Sequence, residues 1–202
     1  MKTRTVFAVG AALALCLSLP AFSQPARATP AAQRQAARRG VAPRYMRAIA
    51  AFDQQVRAYV TMREGLEEKL PKLSKDSTPE QIETHKTAFQ QAVRAARSNA
   101  KRGEIFSPVF AEYIRATIRN NYRGRALQEL REAVMEAETQ GVALRVNYPY
   151  PESNELVEMP PALLLRLPQL PKQVKYRFVG RNMLLVDREN GLIIDYMTNA
   201  LP

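Results

Sequence analysis

The stretch LPQLPKQVKYRFVGRNMLLVDRENGLIIDYMTNALP, Leu167 to Pro202, decides the fold. Val174, Tyr176 and Phe178 alternate with Lys175 and Arg177, the period-two pattern of a strand that buries one face. Gly180-Arg181-Asn182 turns the chain. Two more β-rich apolar runs follow, Met183 to Val186 and Leu192 to Tyr196. The loop between them, Asp187 to Gly191, ends in Asn-Gly, a pair that tolerates the positive φ of a tight hairpin. The spacing predicts a three-stranded antiparallel meander.

Immediately upstream, Val142, Leu144, Val146 and Tyr148 alternate with Ala143, Arg145 and Asn147, which predicts a fourth strand. Pro149-Tyr150-Pro151 reads as an extended exit and Glu152 to Glu158 as a polar loop. Pro160-Pro161 opens a short apolar helix, Ala162 to Leu167.

Residues 43 to 141 switch to helical periodicity. From Pro43 to Leu70 the apolar positions Tyr45, Ile49, Phe52, Val56, Tyr59, Leu66 and Leu70 step by threes and fours, broken once by Arg63, and give a narrow core-facing stripe. Thr78-Pro79-Glu80-Gln81 carries a capping box and a first-turn proline, predicting a second helix to about Arg102. Its apolar face is Ile82, His85, Phe89, Ala92, Val93 and Ala96, and Gly103 closes it. Ser107-Pro108 starts a third helix carrying Val109, Phe110, Tyr113, Ile114, Thr117 and Ile118. After Gly124 a fourth runs from Arg125 to about Gln140, with Leu127, Leu130, Val134 and Ala137 on one face and a stop at Gly141. The expected fold class is α+β, about four helices and then a small antiparallel sheet packed on them.

The amino terminus reads differently. Lys2 and Arg4 precede an apolar run from Val6 to Leu19, and Ala21-Phe22-Ser23 places small residues as a signal peptidase requires, so residues 1–23 predict a secretory signal peptide cleaved after Ser23. The run is too short to span a bilayer, and no transmembrane segment is expected after cleavage. Residues 24–42, rich in Ala, Arg, Gln and Pro, are expected to form a flexible basic arm. The mature chain would carry no cysteine, because Cys16 is the sole one, and a charge of +9 against +11 for the whole sequence. Absent disulfides and a short signal favour a periplasmic location.

The run Gly103-Glu104-Ile105-Phe106-Ser107-Pro108, then Leu144-Arg145-Val146-Asn147 with Pro149-Tyr150-Pro151, then MPPALL, LPQLP, KYRFVGR, LLVD, GLIIDY and NALP resembles an uncharacterised family of exported bacterial proteins. The similarity extends from Tyr45 onward. The last 35 residues are also distantly similar to the C-terminal hairpin of a periplasmic nickel and cobalt homeostasis family. The resemblance implies export and an α+β fold, and no catalytic role.

Reactive chemistry is sparse. His85 is the one histidine, so a zinc site is not expected; Glu152, Glu155 and Glu158 lack the glycine-punctuated spacing of a calcium loop. No serine sits in a nucleophile elbow and no phosphate-loop or dinucleotide signature occurs, so no catalytic residue, metal or cofactor is assigned. Asp187 and Asp195 bracket the hairpin, either as a carboxylate pair across it or as soluble strand ends that pin the turn. His85 is expected to pack beside Ile82 and Phe89. Charge says more. Gln24 to Arg63 and Lys86 to Arg125 each sum to +7, and the rest of the mature chain to −5. Arg94, Arg97 and Lys101 line one side of the second helix, and Arg115, Arg119 and Arg123 one side of the third. If the two helices are neighbours they present one arginine face able to grip phosphate or carboxylate; otherwise the rows are solvated surface. The leading expectation is a non-enzymatic envelope protein that binds an anionic partner, a lipid headgroup, an envelope polymer or an acidic protein, nucleic acid being unlikely for an exported chain. The alternative is an assembly factor recognising protein through the first helix's stripe or an open sheet edge. A third reading is an unfamiliar hydrolase using Asp187, Asp195 or His85.

Overall fold

A computed structural model describes residue 29 and residues 40–135, 143–151 and 157–201. The signal peptide, most of the basic arm, the end of the fourth helix with Ala137 and Gly141, and Glu152 and Glu155 lie outside the described residues.

Helix α1, Pro43–Glu67, starts with proline at its first turn, where the missing N–H leaves nothing unpaired. Its stripe buries Ile49, Phe52, Val56, Tyr59 and, in line with them, Arg63. Helix α2, Pro79–Ala96, opens with the expected capping box: Gln81 N donates to Thr78 Oγ1 at 3.3 Å and Thr78 N to Gln81 Oε1 at 2.9 Å. It buries Phe89 and Val93, while Ile82, expected in the core, is exposed. It also ends early, at Ala96, so Gly103 (φ 82°) shapes a loop instead of capping the helix. Helix α3, Pro108–Asn121, is capped by Ser107 and buries Phe110, Tyr113, Ile114 and Ile118; Val109 is exposed. Helix α4, Arg125–Met135, contributes Leu130 and Val134.

The sheet is an antiparallel meander in the order β1-β2-β3-β4, with β1 Val157–Glu158, β2 Val174–Val179, β3 Asn182–Asp187 and β4 Ile193–Met197. The short helix α5, Pro161–Leu164, connects β1 to β2. Val174 pairs with Asp187 and Val179 with Asn182, so the first hairpin is tight; Gly191 takes φ 71° in the second. One correction concerns the fourth strand. It is β1, from the segment read as a loop, and residues 143–148, the described part of the expected strand, do not form one. Asn147 adopts φ 64°, which breaks an extended run, and only Pro149 forms a bridge, to Leu192.

One face of the sheet meets the helices. Phe52 is the hub of that core, its ring 4.1 Å from Phe110 and 6.2 Å from Tyr176, both stacked. Each such ring removed from water stabilises the fold by about 1.5–3 kcal/mol. The opposite face holds a smaller cluster of Val179, Leu184, Val186 and Ile193 with Tyr150, against which Leu144 and Tyr196 pack. Among the described residues no helix is long and apolar enough to cross a membrane.

Candidate anion-binding site

The segment after the described part of α4 is fastened by one asparagine. Asn147 tolerates positive φ because its short polar side chain can bond locally. Here every polar atom it has is used. Its Oδ1 accepts from Arg97 Nη1 at 2.8 Å, its Nδ2 donates to Arg97 O at 2.7 Å, its N donates to Ile193 O at 2.8 Å, and its carbonyl accepts from Arg94 Nε at 3.1 Å. Arg97 Nη1 also donates to Ile194 O at 3.1 Å. Residues 145–150 are thereby tied to the outer edge of β4.

This fastening gathers cations around two tyrosines. The guanidinium carbons of Arg145 and Arg94 lie 4.0 and 4.5 Å from the centre of the Tyr148 ring, which is 37% exposed. Tyr196 donates its hydroxyl to Leu144 O at 3.1 Å, and Arg102 lies 5.6 Å from the Tyr196 ring. A guanidinium laid on a ring keeps its plane fixed and its outer N–H groups free to meet an anion. Among the described residues no carboxylate forms an ion pair with Arg94, Arg97, Arg102 or Arg145.

The arginine rows read from the sequence separate. α1 packs against both α2 and α3. Arg94 and Arg97 reach the Asn147 turn, whereas Arg115 donates to Thr198 O and Asn199 O, both at 2.9 Å, beyond the end of β4. Lys101, Arg119 and Arg123 are exposed. Arg145, Tyr148 and Tyr196 were not singled out as site residues, since nothing local to them says that α2 lies alongside.

The two aspartates are not strand ends in water; both are fully buried on the helix-facing side of the sheet. Asp187 Oδ2 accepts from Tyr59 OH at 2.8 Å and lies 2.9 Å from Arg63 Nε, while Oδ1 accepts from Glu189 N and Asn190 N, so the expected turn pin is present. Burial pushes the Tyr59 hydroxyl well above its ordinary range, and the charge of Asp187 adds to the rise. For Arg63 burial works to lower the pKa and is outweighed by Asp187 and Glu189. Asp195 accepts four backbone amides at 2.8 Å: Gly103 and Tyr196 on Oδ1, Ile105 and Phe106 on Oδ2. Burial still holds its carboxyl above the usual range, against the pull of those amides. The pair shares no hydrogen-bond partner, so no proton is shared across the hairpin.

His85 is half-buried, its ring 6.3 Å from Phe89. Glu158 pairs with Arg177 at 2.9 Å. Among the described residues no group of three or more His, Cys, Asp or Glu side chains could hold a metal ion. Comparison with family models, curated proteins and solved structures gives no match.

Proposed function

We propose that this is an exported protein that binds an anionic component of the cell envelope through the guanidinium collar of Arg94, Arg102 and Arg145 around Tyr148 and Tyr196. The observation that carries the reading is that these cations are packed on rings and held in place while no described carboxylate neutralises them. A cationic surface that no described carboxylate neutralises suits phosphate or carboxylate groups, which guanidinium meets with paired N–H donors. Export rests on Lys2 and Arg4 ahead of the apolar run Val6 to Leu19 and on the small residues before the expected cleavage after Ser23. The competing assembly-factor reading keeps one surface, the β1 edge of the sheet, since the α1 stripe is inside the core and the edge of β4 is engaged by Asn147, Arg97 and Arg115.

The test is sedimentation with phosphatidylglycerol vesicles against phosphatidylcholine vesicles across a salt series. Retention is expected on the anionic vesicles alone and to fall steeply as salt rises. The double variant Arg102→Glu, Arg145→Glu should weaken it by about tenfold or more, since each charge-assisted contact contributes roughly 1.5–3 kcal/mol. Arg119→Glu, Arg123→Glu should leave it near wild type. The opposite ranking would return the site to α3, and salt-independent retention would end the proposal.

A further inference from the structure

A second gathering of cations lies on the outer face of the sheet, two strands in from the collar. Residues two apart in a strand share a face, about 7 Å from each other. Lys175 and Arg177 are such a pair on β2, on the face opposite Val174, Tyr176 and Phe178, which point into the helix-facing core. Lys175 lies across from Val186 of β3, and Arg188, two residues beyond Val186, prolongs that ladder by donating its N–H to Gln173 O at 2.8 Å. Arg188 is therefore a diagonal neighbour of Lys175 on the same face, a spacing that long side chains bridge. Three cations share one corner of the sheet.

The corner is short of negative charge. Among the described residues its one carboxylate is Glu158 of β1, whose side chain is 84% exposed and whose Oε1 accepts from Arg177 Nη2 at 2.9 Å. Arg177 Nη1 donates to Tyr176 O at 3.0 Å and Arg188 Nε to Val174 O at 3.4 Å, so backbone carbonyls steady both guanidiniums. Neither the Lys175 ammonium nor the outer nitrogens of Arg188 meet an acceptor among the described residues. These are not freely solvated surface charges: the Arg177 side chain is 14% exposed and Lys175 is half-buried. Burial, and after it the charges of Arg177 and Arg188, pull the Lys175 ammonium below its ordinary pKa, against the opposing pull of Glu158.

An anion seated here would relieve both the lost solvation and the repulsion. Three cations against one carboxylate leave two positive charges, which a phosphomonoester cancels and a single carboxylate does not. The three terminal oxygens of a phosphate can also meet a forked guanidinium and an ammonium at once.

We propose that Lys175, Arg177 and Arg188 form a binding site for a terminal phosphate group. The site goes beyond the collar and stands without it.

The test uses pyridoxal 5′-phosphate, whose aldehyde condenses with a nearby amine, losing water, to an imine that borohydride reduces to a stable adduct located by mass spectrometry. Pyridoxal, the same aldehyde without the phosphate, corrects for the reactivity that a lowered pKa gives Lys175 by itself. At low salt the ratio of the two labelling rates should be about tenfold higher at Lys175 than at exposed Lys69, Lys75 and Lys101. Arg177→Gln with Arg188→Gln should return it to the exposed-lysine value. A thermal melt checks that this variant is folded; if it melts early, the wild-type ratio and competition decide. An equal ratio at all these lysines in the wild type overturns the proposal, because Lys175 would then be a reactive amine and no phosphate site. The collar variant Arg102→Glu, Arg145→Glu should leave the Lys175 ratio unchanged, and a fall there overturns a separate site. Competitors are inorganic phosphate at about 10 mM and phosphatidic acid vesicles, with phosphatidylcholine vesicles as the blank. Protection of Lys175 by inorganic phosphate identifies a soluble phosphate as ligand, protection by the phosphatidic acid vesicles alone identifies a lipid headgroup, and protection by neither overturns the proposal.

Discussion

Asp187 and Asp195 belong to one hairpin and are equally buried, yet they are satisfied in opposite ways. Asp187 meets a full positive charge on Arg63 and the hydroxyl of Tyr59. Asp195 forms no ion pair among the described residues and is held by four peptide N–H groups, three of them from the loop between α2 and α3. The first arrangement depends on two particular side chains. The second depends on the path of a backbone, which Gly103 permits by taking φ 82°. A buried ion pair is therefore vulnerable at a single residue, whereas a backbone cradle fails only when the loop moves or the carboxylate itself is changed.

The contrast is broken most sharply at Arg63. Arg63→Met leaves Asp187 charged, buried and without a counter-ion, and should cost about 3–5 kcal/mol in urea unfolding. Adding Asp187→Asn should recover part of that loss, since the stranded charge is gone. If Arg63→Met is tolerated at under about 1 kcal/mol, the ion pair is not what holds α1 to the second hairpin. Asp195→Asn comes next, at about 2–3 kcal/mol, because one carbonyl oxygen cannot serve four donors and the new amide group opposes some of them. Its signature is local: hydrogen exchange should quicken at Gly103, Ile105 and Phe106, amides that Arg63→Met leaves protected. Unchanged exchange there would remove the cradle from the account.

Tyr59→Phe is the smallest change, about 1 kcal/mol at neutral pH for one hydroxyl bond to a carboxylate. It carries a pH signature of known sign. The native state holds the Tyr59 proton to a higher pH than the unfolded chain does, so above the ordinary tyrosine value near 10 the unfolded state binds fewer protons and stability falls as pH rises. The slope from this group is at most about 1.4 kcal/mol per pH unit. Stability curves of wild type and Tyr59→Phe between pH 9 and 11 should therefore converge; parallel curves would mean that Tyr59 ionises as freely folded as unfolded.

What could be read in advance followed the same division. The three long strands, the Asn-Gly turn, the capping box at Thr78 and the proline starts of three helices are local signals, carried by neighbours in the chain, and all were legible. Arg63 was legible only as an interruption in a hydrophobic stripe. Its partner lies 124 positions away in number, on a strand, and single-sequence periodicity has no access to that pairing. The same distance hid the burial of both aspartates, which looked like soluble strand ends. Residues 142–148 misled for another reason: their alternation is genuine, but Asn147 satisfies its side chain on Arg97, just past α2, and turns the chain where a strand would continue. Leu144 still packs on the outer sheet face, so the pattern reported burial correctly and conformation wrongly.

The outer edge of β4 carries a consequence for how the chain comes together. Its outward groups are engaged by Arg97 at Ile194 O, by Asp195 at Tyr196 N, and by Arg115 just past the strand. Two of those three side chains come from residues made more than 80 positions earlier, Arg97 just past α2 and Arg115 in α3, at separations of 97 and 83. Within the last hairpin only Asp195 shields an edge amide, and until it meets α3 and the residues around Arg97 and Asn147 it presents a largely open, strongly apolar strand to any neighbour. Aggregation during synthesis and refolding should therefore depend on whether the helices are waiting when the final 36 residues arrive. A C-terminal fragment made alone, with that edge uncovered, is expected to aggregate more readily than the full chain in a thioflavin T assay.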